Sequence, residues 1–199
     1  PYGKARGRLE KNYWAETVAL VVGGDKWSTV IKVKYNAKKN AIQVDETYNK
    51  YIALPYGEFV ELYNDLNGVT TPYDVVDVLK EIYKITKDFD VQNAITIANL
   101  IDWSEGCYDL QVSRDGNEVA ITLTYDKPCK PNGVTYFGIE LAFDKTSREV
   151  HLVYSVEELV RGNEEEMNEV RNKLMEVGDY HGLMKLLYEI EQMKEGELF

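Results

Sequence analysis

The stretch Thr29–Val44, TVIKVKYNAKKNAIQV, restricts the fold of this chain more than any other. Thr29, Ile31, Val33 and Tyr35 alternate with Val30, Lys32 and Lys34, the period of two of a strand with one covered and one wet face. Asn36-Ala37-Lys38-Lys39-Asn40 supplies turn chemistry, because Asn tolerates left-handed backbone, and Ile42 and Val44 then resume the alternation. The pattern predicts a β-hairpin with Lys32, Lys34, Lys38 and Lys39 on one side and at the tip. Lysines on a strand commonly do no more than discourage edge pairing. The same four are also a candidate anion-binding face.

Charge distribution gives that second reading its weight. The chain of 199 residues has a net charge of −11, yet residues 1–51 hold ten Lys/Arg and five Asp/Glu, a net +5, which leaves −16 for the remainder. Overall acidity argues against indiscriminate nucleic-acid binding and leaves room for a local basic face. At 44% hydrophobic and 12% aromatic residues, the chain can build a core, in one good-sized domain or two small ones. No apolar run approaches the roughly 18 residues that span a bilayer, and no secretory leader pattern is visible. The expectation is therefore a soluble cytoplasmic protein without membrane contact. Two cysteines, Cys107 and Cys129, and two histidines, His151 and His181, are too few and too scattered for a zinc site, so no metal or cofactor is expected. The cysteines read either as buried thiols or as one disulfide, the latter unusual in a cytosolic protein outside hyperthermophiles.

Taken in order, residues 1–13 read as a flexible basic arm with Lys4, Arg6, Arg8 and Lys11. Residues 14–162 form an α+β domain, mostly antiparallel sheet. Thr17–Val22 is an apolar strand, Gly23-Gly24-Asp25 a turn, and Tyr51–Leu54 a short further strand. A helical insertion occupies about 72–102, after a helix over Tyr56–Leu66 that ends at Asn67-Gly68. Thr71-Pro72 caps the next helix and Asp90 a third. Strands return at Tyr108–Ser113, Glu118–Tyr125, Val134–Phe143 and Glu149–Tyr154, with a Pro-rich loop at 127–133 and a short helix at Val156–Val160. Residues 163–199 read as a helical hairpin, opened by the capping box of Asn163 and Glu166. Its stripe Met167, Val170, Leu174 and Val177 either docks on the domain or forms a self-association seam with a protein partner or second copy.

An internal echo suggests two meander-plus-helix halves. Tyr35–Val44 can be laid over Phe143–Leu152: an aromatic residue, Asn or Asp, a polar turn, then alternating apolar residues. The run Tyr51–Leu62, YIALPYGEFVEL, resembles the end of a half-unit in Whirly proteins, which share a superfamily with the transcriptional coactivator positive cofactor four. The resemblance covers about residues 14–67 and 106–162. It implies two four-strand-plus-helix units, sheets outward and helices inward, and single-stranded nucleic acid as ligand. Single strands need a basic groove and aromatic faces for the bases. Lys32, Lys34, Lys38 and Lys39 offer the charge, and Trp27, Tyr35 and Tyr48 the stacking surfaces.

Enzymatic readings find less. Cys107–Val112 with Val119–Thr124 resembles the core hairpin of metal-dependent nucleases of the Asp…Glu-x-Lys type, but Thr122 and Thr124 stand where Glu and Lys are needed. No catalytic residue is expected. Two functions remain: a non-enzymatic protein binding single-stranded nucleic acid through the basic sheet, or an acidic protein-interaction or self-assembling protein using its C-terminal helices.

Overall fold

Period-two alternation is clearest in the strands over Glu118–Tyr125 and Glu149–Val160. The computed structural model describes residues 5–126 and 133–197. Four strands come first: β1 (Arg6–Asn12), β2 (Thr17–Gly23), β3 (Trp27–Asn36) and β4 (Ala41–Ala53). Three helices follow, α1 (Tyr56–Asp65), α2 (Pro72–Thr86) and α3 (Phe89–Asn99). Then come β5 (Asp109–Asp115), β6 (Glu118–Tyr125), β7 (Val134–Asp144) and β8 (Glu149–Val160), and last α4 (Glu164–Glu176) and α5 (Tyr180–Glu197). The strands form one antiparallel sheet in the order β1-β2-β3-β4-β8-β7-β6-β5. The chain is thus α+β, with two four-strand meanders, a central helical insertion and a C-terminal helical hairpin.

Two compact units are present: Pro1–Thr47 with Glu157–Phe199 (unit 1), and Tyr48–Val156 (unit 2). In unit 1, Val18, Leu20, Val33, Ile42 and Val44 of β2–β4 are buried with Met167, Val170, Leu174, Leu183, Leu186 and Ile190 of α4 and α5. In unit 2, Val119, Ile121, Leu123, Ile139, Leu141, Phe143 and Leu152 are buried with Phe59, Leu79, Ile82, Val91 and Ile95 of α1–α3. The first meander is therefore covered by helices that follow the second, and the second by helices that follow the first. Each fully buried Leu, Ile or Phe contributes about 1.5–3 kcal/mol.

The helix ends explain themselves locally. Thr71 and Asp74 form a capping box with Pro72 next in line, and α2 stops at Lys87 in left-handed backbone, φ 54°. Backbone N–H groups of Thr70 and Thr71 hold the Asp74 carboxyl below the usual range. Asn163 and Glu166 form the expected box on α4.

Several expectations change. Residues 6–12 are not an arm but strand β1, paired with β2 throughout from Arg6↔Gly23 to Asn12↔Thr17. Leu9 packs on the unit 1 core, and the Lys11 ammonium donates to the carbonyls of Met175 and Val177 at the end of α4, which have no helical partner. Lys4 and the loop residues 127–132 lie outside the described residues. Val156–Val160 is strand, not helix, because the alternation of Val150, Leu152, Tyr154 and Val156 runs on into it. Tyr51–Ala53 is simply the end of β4. The cap of α3 is Asp88, which accepts from the N–H groups of Asp90 and Val91. Leu66–Gly68 is one 3-10 turn, ended without a left-handed glycine. The C-terminal hairpin is not a separate 163–199 region but half of the unit 1 core.

Candidate nucleic-acid interface

Register places the lysines. In unit 1, Ala19 pairs with Lys32 and Thr17 with Lys34, while Glu10 and Asn12 of β1 pair with Ala19 and Thr17. Side chains alternate across a strand, so Val18 and Val33 face the helices and these rows face away from them. Two rows cross the sheet on that outward face: Glu10–Ala19–Lys32 and Asn12–Thr17–Lys34. The small side chains in the middle leave a depression of about 700 Å³, bordered further by Lys11, Asn36 and Lys38. Lys32 and Lys38 are exposed and Lys34 is half-buried.

The β3–β4 turn is tightly built. Asn36 Oδ1 accepts from the Lys39 N–H at 3.1 Å, and Asn40 takes left-handed backbone, φ 46°. Asn36 Nδ2 donates to Gln43 at 3.0 Å, and Gln43 donates in turn to Asp45 at 3.0 Å. Burial and the charge of Asp45 push the Glu157 carboxyl up, while Lys34 and Lys39 pull it down. The basic face is thus bounded on the β4 side by carboxylates.

Of the seven residues expected at this face, Lys32, Lys34 and Lys38 line the groove, and Lys39 is exposed at the adjoining tip. Of the three aromatic residues, only Tyr35 reaches the groove. Tyr35 borders the groove, but its ring lies under the Arg171 guanidinium at 4.6 Å, which in turn holds Glu16 at 2.7 Å. Trp27 is half-buried over Gly24, where an added Cβ would meet the indole nitrogen at 2.6 Å, at the far end of β3. Tyr48 stacks on Tyr154 at 4.6 Å in the unit 2 core.

Two exposed aromatic residues lie in the adjoining β1–β2 turn, outside the groove lining. Trp14 is 99% and Tyr13 63% exposed, in the turn between the lining residues Asn12 and Ala15. Asn12 Oδ1 fixes that turn by accepting from the N–H groups of Trp14 and Ala15 at 3.1 and 3.3 Å. An Asn followed by two aromatics before an apolar strand was the signal for this.

Met167, Val170, Leu174 and Val177, expected as a self-association seam, are 1–4% exposed within the chain's own core. Their apolar stripe is satisfied internally, so no partner reaches it.

The outward face of unit 2 has other chemistry. Its rows are Gln111–Thr122–Glu140 and Asp109–Thr124–Gly138. On the same unit, Tyr51 stacks on His151 at 4.1 Å, and His151 Nε2 meets Asn49 Oδ1 at 2.6 Å. Cys107 is disulfide-bonded, and Cys129 lies outside the described residues. Among the described residues no cluster of His, Cys, Asp and Glu has metal-holding geometry, and no helix is long and apolar enough to cross a membrane. No family model, curated protein or solved structure matches the chain.

Proposed function

We propose that the outward face of β1–β3 binds single-stranded nucleic acid, with no covalent chemistry. The observation that carries this reading is the groove itself, which gathers Lys32, Lys34 and Lys38 in a strongly acidic chain. The lysines track phosphates, and Trp14 at the β1–β2 turn provides a sequence-tolerant stacking face. The resemblance to Whirly proteins points to the same ligand class. Titration of a fluorescein-labelled oligothymidylate across a salt series tests it. Affinity should fall steeply with salt. Absence of binding at low salt would sink the reading.

A further inference from the structure

With the helical stripe spent inside the chain, the sheet edges remain. Strand β1 is one edge and β5 the other. β1 is paired with β2 along all seven residues without a bulge, and it contains no proline. It therefore lacks two of the usual devices that keep an edge from pairing. We propose that β1 pairs antiparallel with β1 of a second copy of this chain, in a closed two-fold dimer centred on Leu9.

The charges select this occupant and this register. A two-fold pairing that keeps helix-facing residues opposite helix-facing residues must be centred on a residue, not between two. Centred on Leu9, it sets Arg8 of each copy opposite Glu10 of the other, and Arg6 opposite Asn12. Leu9 meets Leu9 beside the apolar core it already touches. Centring on Arg8 also opposes Arg6 and Glu10 but sets Arg8 against Arg8 on the axis, and centring on Glu10 sets Glu10 against Glu10 with no ion pair, so only the Leu9 centre has opposite charges without a like pair. Arg8 and Glu10 already pair along the strand at 2.7 Å, with side chains 72% and 54% exposed, so both are open to a second partner. β5 lacks this charge complementarity: centring it on Val112 sets Asp109 against Asp115 twice, and no residue-centred register brings Arg114 opposite either aspartate.

Sedimentation velocity on the full chain, from about 1 to about 500 μM, tests the dimer across the range of weak association. Arg8→Glu alone and Glu10→Arg alone each turn two attractive pairs into repulsive ones and should weaken the dimer about tenfold or more. An equimolar mixture of the two variants should restore it, because the acidic pair at positions 8 and 10 of one variant then faces the basic pair at the same positions of the other. Hydrogen exchange of the unaltered chain supplies a reading without substitution: alternate β1 amides should gain protection as concentration rises. A chain monomeric at every concentration, single reversals without effect, or assemblies that grow beyond two copies by β1–β5 pairing would each overturn the proposal.

Discussion

The two outward faces are built on the same plan and carry opposite chemistry. In unit 1 the rows end in Lys32 and Lys34; in unit 2 they hold Glu140 and Asp109. Backbone, pairing and the apolar side beneath are alike, so the strand pattern sets the platform and the wet positions alone set what it attracts. A second contrast is depth. Ala19 and Thr17 hollow out the unit 1 face, whereas Tyr136 folds over Gly138 in unit 2, close enough that an added Cβ would lie 2.4 Å from its hydroxyl.

The strongest test of the two-unit division is a cavity. Leu174→Ala, at a position 1% exposed in α4, should cost about 2–5 kcal/mol. Hydrogen exchange should then show lost protection in β2 and β3 with β6 and β7 unchanged; equal loss in both would erase the division. Next in size, replacing Lys32, Lys34 and Lys38 together by Glu should abolish oligonucleotide binding. Neutralising them with Gln should flatten the salt slope by about 2. Glu140→Gln in unit 2 should leave both unchanged, and an equal effect there would dissolve the contrast between faces. Trp14→Ala should weaken binding by about 1–3 kcal/mol without moving the melting temperature, since nothing covers the ring.

The smallest effects are pH-dependent and of opposite sign. The folded pKa of Asp74 in unit 2 is lowered, by backbone N–H donors first. Its stabilisation is therefore present above the unfolded value and fades as pH falls through the folded one. Asp74→Asn should lower the melting temperature at neutral pH and matter less in acid. The folded pKa of Glu157 in unit 1 is raised, by burial first and then Asp45. Its ionised form costs stability above that pKa, so Glu157→Gln should stabilise slightly at neutral pH, by less than about 1 kcal/mol, and give nothing in strong acid. Matching signs in the two melts would show that these carboxylates sit in environments other than those described.

Much of this was legible in the residues. Alternation located the hairpins, and Thr71-Pro72 and Asn163 with Glu166 located two helix starts. Tyr35 has the parity of Val33, so its packing toward the helices was already implied by the spacing that exposed Lys32 and Lys34. Two things were hidden. Residues 1–13 read as a flexible basic arm, which concealed β1 and with it Trp14, because pairing with β2 is a long-range event that local propensity does not encode. The stripe Met167–Val170–Leu174 declared that it would be buried, but an amphipathic pattern does not name the surface that buries it.

That exchange of helices has a consequence for biogenesis. Unit 2 is one uninterrupted stretch of chain, 48–156, whereas unit 1 joins two segments separated by all of it. During synthesis β1–β3 emerge first, yet the residues that cover Val18, Leu20 and Val33 are made only after β8. Unit 2 should therefore fold ahead of the segment that precedes it, reversing the usual amino-to-carboxyl order. Until α4 and α5 arrive, the first strands are a nascent-chain segment with bare apolar faces, the kind of surface that chaperones engage at the ribosome.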